Sequence, residues 1–318
     1  MLRAYILRRL MAAVVVLFLL SIIIFVLMHL LDGDALIAKL GETGRIPKDQ
    51  LDVLRAEMGL DDPLYVQYLN WVRSLFDGSM GESLIYDGQS VSSRILKALP
   101  ITLELGVLGL LSAIVIGIPL GVMSAATQDS KIDYVIRMVS LLGLSVPQFL
   151  IGLIIIIYGT LYLGYKPPRE YISLMSDPIG NIKMMLIPAL ILGFGLSASI
   201  MRMTRSTVLE ALHEDYARTA RAKGLKERTV VVKHVVRNAL IPVMTLVGNQ
   251  AAFIFSGALI IEILFVLPGM GRLTIEAIGQ RDYTQVQGCA LVAGAAVVLT
   301  NLFVDVAYGW VDPRVRYG

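Results

Sequence analysis

One cysteine, Cys289, in 318 residues leaves no partner for an internal disulfide. No Cys/His spacing in the chain suggests a metal site either. Cys289 lies in an apolar run and reads as a small buried hydrophobe. Several chemistries are missing by motif. No Gly-x-x-x-x-Gly-Lys-Ser/Thr occurs, so the chain has no phosphate-cradling loop of its own. Neither Gly-x-Ser-x-Gly nor His-Glu-x-x-His occurs, and His213-Glu214 lacks the second histidine four residues on. The three histidines, His29, His213 and His234, read as surface or interface residues. Charge is scarce as well, at 17% Asp, Glu, Lys and Arg against 56% hydrophobic residues and a mean hydropathy of +0.71. A soluble domain carries about a quarter charged residues, so a membrane domain is the first expectation. A formal charge of +3 is too small to suggest a nucleic-acid partner.

What is present is a set of long apolar runs. A helix needs about 20 apolar residues to cross the hydrocarbon. Six runs qualify or nearly so: Leu10–Leu31, Leu99–Ala126, Met138–Leu163, Met184–Met201, Ala239–Ile261 and Val286–Val304. The first resembles a signal peptide only superficially. It is longer than the ~7–15 residues of a signal core and is followed by Asp-Gly-Asp rather than a small-residue cleavage site. It is expected to be a retained span. Pro119, Pro147, Pro188 and Pro242 fall in the later runs, where neighbouring helices can satisfy the freed backbone. Gly117-x-x-x-Gly121 would let two helices approach closely.

Lys and Arg placement orients the spans. Arg3, Arg8 and Arg9 precede the first, Lys131 and Arg137 follow the second, and Arg314 and Arg316 end the chain. The loop 202–238 carries Arg202, Arg205, Arg218, Arg221, Lys223, Lys226, Arg228, Lys233 and Arg237. The expected topology puts both termini and this loop in the cytoplasm, and the segment 32–98 outside. That segment predicts two amphipathic helices. One begins at Pro47, with Leu51, Leu54 and Met58 at helical spacing and Gly59 as its stop. The other begins at Asp62-Pro63, with Tyr68, Leu69, Trp71, Val72 and Leu75 on one face, and ends at Gly78. They would cap the bundle, or rest on the membrane surface or an external partner.

Ionisable residues inside the spans are few. Glu104, Glu262, Asp305 and Arg137 lie near span ends, and no chain of carboxylates crosses the centre. This argues against a gradient-driven carrier. An intramembrane enzyme would need a catalytic pair, and none is visible. Asn249 and Gln250 lie mid-span, either bonding between helices or lining a substrate path.

The basic loop is the most informative region. Thr207 to Lys223 predicts one short helix, with Val208, Leu212, Tyr216 and Ala220 along one face. Gly224 would supply the left-handed turn that ends it, and a second helix would run from Lys226 to about Asn238. Ala217, Ala220 and Ala222 would let a surface groove close around the first helix. Pattern alone serves a docked protein or an anionic lipid surface equally.

Glu210-Ala211, then Gly224, then Ile241-Pro242 resembles the EAA loop of ABC importer membrane subunits. The fuller strings at 214–225 and 237–242 are similar to the dipeptide/oligopeptide/nickel permease family, as are those at 7–10, 59–64, 145–147, 267–273, 281–283 and 312–317. The resemblance spans essentially the whole chain. It departs from the motif at Leu212, where alanine is usual, although peptide-type members ordinarily differ there.

The resemblance implies an all-α membrane protein with the type I ABC importer permease fold: six transmembrane helices and a small helical external insertion. It implies a tail and first helix (1–31), a periplasmic loop (32–98), a core permease domain (99–309) and a cytoplasmic tail (310–318). The chain would sit in the cell inner membrane, multi-pass. Partners would be a second permease subunit, two ABC ATPases that bind ATP and Mg, an external substrate-binding protein and membrane lipid. The chain itself would bind no cofactor or metal and would have no catalytic residue. Ala211 and Leu212 would pack in an ATPase cleft. Glu210, Asp215, Tyr216, Arg218 and Arg221 would contact the ATPase or fix the loop, and Gly224 would set the turn. The family implies peptides first, with nickel chelates, glutathione, opines or oligosaccharides as alternatives.

Overall fold

The structure, a computed structural model, describes residues 2–30, 55–56, 59–86, 88–167 and 170–311. The described residues form ten longer helices, numbered in chain order. They are α1 (Leu2–Leu30), α2 (Leu64–Phe76), α3 (Val91–Ala126), α4 (Lys131–Ser145) and α5 (Gln148–Leu163). After them come α6 (Pro178–Leu212), α7 (Asp215–Ala222), α8 (Val236–Leu264), α9 (Met270–Gly279) and α10 (Tyr283–Val311). A short turn, Glu227–Thr229, and a π-helical turn, Val230–Val235, lead directly into α8. Among the described residues the only extended pairing is an isolated bridge, Glu82 to Ser90.

Among the described residues five helical segments are long and apolar enough to cross a membrane: Ile6–Leu30, Val91–Ala126, Pro178–Leu212, Glu227–Ala252 and Tyr283–Val304. The third predicted span differs from a straight helix. It is divided between α4 and α5, which meet at 99°, and a sixth span exists if this bent pair is counted as one. Pro147 is the reason. It lacks an N–H to continue the ladder, and its ring drives Val146 out of the helical region, to φ −89 and ψ 123. The fourth and fifth spans are longer than their apolar runs. α6 continues past Met201 to Leu212, and the predicted 226–238 helix does not stop but runs on through α8.

The described residues form two packed units. The first holds Met1–Thr102 and Pro268–Leu302. Here α2 begins after Pro63 and ends before Gly78, whose φ of +82 suits glycine. It lies on α1 through Tyr68 and Trp71. Phe25 meets their rings at 5.3 and 6.2 Å, and the Ser21 and Tyr68 hydroxyls are 2.9 Å apart. Leu69, predicted on the same face, instead points out. The other predicted external helix, from Pro47, lies outside the described residues. Asp282, fully buried, organises the rest of this unit. It accepts from Ser83 Oγ and from the amides of Leu84 and Gln285, each at 3.1 Å. It thereby caps α10 and fastens the turn before α3.

The second unit holds Leu103–Leu267 and Phe303–Gly318. Its closest packing sets α3 against α6. A Cβ at Gly117 would lie 3.0 Å from the Ser197 carbonyl, and one at Gly121 2.7 Å from that of Met201. The Gly-x-x-x-Gly spacing therefore marks a true backbone approach. Above it Ala113, Ile200, Val243 and Val247 form a core joining α3, α6 and α8.

Candidate functional site

The basic loop is built from the ends of two long helices. The predicted single helix over 207–223 is two helices. α6 stops at Leu212, His213 closes the turn with its amide on the Glu210 carbonyl at 3.1 Å, and Glu214 is extended at ψ 154. Glu214 then receives the amides of Ala217 and Arg218, at 3.0 and 3.2 Å, to start α7. The break turns the helix axis, so the buried face changes. Val208 and Ala211 of α6 and Ala217 and Ala220 of α7 point into the chain, where they pack with Ala125, Val230, Val235 and Ala239. The small-residue face thus closes against this chain's own core instead of awaiting a partner's groove. Of the predicted stripe, Leu212 is half-buried and Tyr216 exposed. The face offered outward carries Asp215, Tyr216, Arg218, Thr219 and Ala222, with Glu210 exposed beside it.

Arg221 holds the loop shut. Its Nε and Nη2 donate to the two carboxylate oxygens of Glu227 at 3.0 and 2.8 Å, and its Nη1 donates to the Leu212 carbonyl at 3.0 Å. One guanidinium so joins the end of α6, the end of α7 and the start of the return helix. The paired carboxylate raises the Arg221 pKa beyond its already high ordinary value. Of the alternative roles expected for Arg221, the geometry is that of fixing the loop. Asp215 and Arg218 form an exposed pair at 3.6 Å, and Glu210 accepts from Ser206 Oγ at 3.2 Å. Gly224 has φ +75 and places its amide on the Arg221 carbonyl at 2.9 Å, as its predicted turn requires.

Arg221→Ala is expected to loosen this turn locally. The contact is half-exposed and screened, so a loss of about 1 kcal/mol, or about fivefold faster exchange, is expected at the Gly224 and Leu225 amides. Hydrogen exchange measures it. Unchanged exchange would mean that the alanine face alone holds the loop.

A second cluster anchors the root of the loop and was hidden in the sequence. Arg205 on α6 grips Asp133 on α4 with two parallel bonds, Nε to Oδ1 and Nη2 to Oδ2, both 2.8 Å. Asp133 has no solvent exposure and also accepts from Ser124 Oγ on α3 and from the Asp129 amide at 3.1 Å. Its own amide donates to Ser130 Oγ at 3.3 Å. The only local signal is Ser130 preceding a helix with an acidic residue three positions on, which is a capping pattern.

The mid-span pair divides. Gln250 is buried and donates through Nε2 to Ser199 Oγ and to the Leu196 carbonyl at 3.3 Å, which ties α8 to α6. Asn249 is on the exposed side. Among the described residues no group of His, Cys, Asp and Glu has the geometry of a metal site.

Residues 117–317 match the family described as binding-protein-dependent transport system inner membrane component, and residues 1–106 its N-terminal region. A protein of Brucella suis biovar 1, named as a candidate peptide permease, is 42% identical over 314 residues, covering 98% of each chain. The oligopeptide transport system permease protein AppB of Bacillus subtilis is 37% identical over 316 residues, covering 99% of each. The di/tripeptide transport system permease protein DppB of Pseudomonas aeruginosa is 38% identical over 334 aligned positions, with 99% of each covered. Among solved structures, a chain of the MetNI methionine ABC transporter matches with a TM-score of 0.56. That match has 16% identity and covers 69% of this chain and 97% of that one. At that identity the likeness establishes the fold alone.

Proposed function

We propose a function on one premise: this chain belongs to the family of binding-protein-dependent transport system inner membrane components, as a peptide-type ABC importer permease. The finer reading is that it forms half of an ATP-driven path for di- or oligopeptides, with both termini and the loop 202–238 in the cytoplasm. A second permease chain would complete the path, two ATPase subunits would drive it and an external binding protein would deliver the peptide. The names of the Bacillus and Pseudomonas relatives support peptides over nickel chelates, glutathione, opines or oligosaccharides.

One observation carries the mechanism: α7 is an exposed polar helix that is not free to move alone. Its inner face is packed into the chain and its end is clamped by Arg221. A protein seated on Asp215, Tyr216 and Arg218 would therefore move α6 and the return helix with it. The clamp and alanine face make α7 part of a rigid body, so ATPase closure would be transmitted as a swing of two spans. This chain contributes docking, rigidity and a path, and no bond is made or broken in it.

Gly224 tests the coupling. A Cβ there meets nothing within 4 Å, so any substitution acts through φ +75 and not through crowding. Gly224→Val places a β-branched residue in a left-handed conformation, at a local cost of about 1–2 kcal/mol, while asparagine tolerates it. Peptide uptake in the assembled transporter is expected to be largely lost in Gly224→Val and kept in Gly224→Asn, with equal membrane insertion. Normal uptake by the valine variant would refute coupling through this loop. Uptake by the chain alone, without ATP, would favour a gradient-driven carrier.

A further inference from the structure

We propose that the chain holds an anionic phospholipid in a cavity between α3, α4 and α6. The cavity measures about 490 Å³, within the range of small-ligand sites. It is lined by Arg202 and Arg205 of α6 and by Arg137, Met138, Leu141 and Leu144 of α4. Among the described residues no acidic side chain lines it.

Its charge is not spent internally. Asp133 lies fully buried behind the cavity and takes Nε and Nη2 of Arg205, neutralising that arginine. Arg202 and Arg137 are both exposed, and Arg137 stacks over the Tyr134 ring at 5.5 Å, a contact that leaves its charge uncompensated. Two cations therefore face the space without a carboxylate of their own. The serine hydroxyls beside them are committed as donors elsewhere: Ser124 to Asp133, Ser140 to the Arg137 carbonyl at 2.8 Å, and Ser206 to Glu210. An occupant must then bring the anion, and the guanidiniums are its donors. A phosphate suits their fork geometry.

The apolar part of the lining selects the kind of anion. Met138, Leu141 and Leu144 are large apolar side chains left exposed on α4, next to a run long and apolar enough for the membrane. A free phosphate gains nothing from them, whereas an acyl chain covers them. Basic pockets between spanning helices collect anionic headgroups for this reason. The inference rests on the membrane reading alone and not on the docking role of the loop. Its location gives it a regulatory side, because one of the arginines that line the cavity, Arg205, is also the one that ties α6 to α4.

The test is lipid retention by the assembled transporter, purified in detergent and released in native mass spectrometry. Phosphatidylglycerol is expected to remain bound while phosphatidylcholine, offered equally, does not. Each arginine contributes about fivefold near a charged surface, so Arg137→Gln with Arg202→Gln should weaken retention about twenty-five-fold. Arg202→Lys should keep most of it, and Lys131→Gln, a single charge loss outside the lining, should change little. Leu141→Ser should weaken retention with the arginines intact. Equal retention by the double arginine variant overturns the proposal. Displacement of the lipid by inorganic phosphate with no effect of Leu141→Ser makes this a free-anion site and overturns it too. So does a second permease chain cross-linking to position 141 in the intact complex.

Discussion

Asp133→Ala is expected to lose about 3–5 kcal/mol of folding stability, the usual effect of removing one partner from a buried ion pair. Few positions in this chain are so heavily committed. The carboxylate is fully buried and receives four donors from α3, the turn after it and α6. Its loss leaves the guanidinium of Arg205, a side chain 22% exposed, without its hydrogen-bonded carboxylate, and leaves the Asp129 amide and Ser124 hydroxyl without an acceptor. Arg205→Ala should destabilise comparably, because it strands the carboxylate. The double change Asp133→Leu with Arg205→Met should be far milder than the sum of two single losses, since apolar replacements of similar size leave no buried charge. Thermal unfolding of the purified chain in detergent, with Asp133→Leu and Arg205→Met alone as the single variants, closes the cycle. Strict additivity would show that the two residues do not act as a pair.

Gly121→Val should be nearly as damaging for a steric reason. The new Cβ would sit 2.6 Å from Thr204 Cβ and 2.7 Å from the Met201 carbonyl. The second of these is backbone in the middle of α6 and cannot rotate away. Overpacking a tight contact costs about 1–3 kcal/mol, and the γ-carbons of valine push it toward the upper end. Lipid gives spanning helices little hydrophobic reason to associate, so close backbone packing matters more than it would in water. A lower melting temperature and lower yield of folded protein are expected. Gly279→Ala, in a helix with nothing within 4 Å of the added carbon, should be neutral. Should Gly121→Val match wild type, α3 and α6 do not meet as described.

Features fixed by local chemistry were legible in the sequence. Run lengths located most of the spans, Gly224 marked a left-handed turn, and Gly117 and Gly121 marked a close approach. Pro147 was visible too, but whether a proline kinks a span or divides it depends on what packs around the break. The loop helix was misread because propensity is high on both sides of His213 and Glu214, so nothing local announces the interruption. Once it breaks, the face containing Ala217 and Ala220 is set by Val230 and Val235 on the return segment. The Asp133–Arg205 pair joins residues 72 apart, and an arginine among nine basic residues of one loop carries no local sign of so distant a partner. Gln250 and Asn249 are neighbours of similar chemistry, and only the position of α6 assigns one inward and the other outward.

The continuity of α6 also has a geometrical consequence. Its 35 residues, at about 1.5 Å each, make a rod of about 52 Å. Pivoted near its middle, such a rod moves equally and oppositely at its two ends, so a tilt of about 5° displaces each by about 2 Å. No change of fold is needed for that, and no signal passes from residue to residue. A displacement at Leu212 reappears with the opposite sign beyond the pivot, much as pressing one end of a seesaw lifts the other, and Pro188, which removes one ladder bond near the far end, is where the rod can bend.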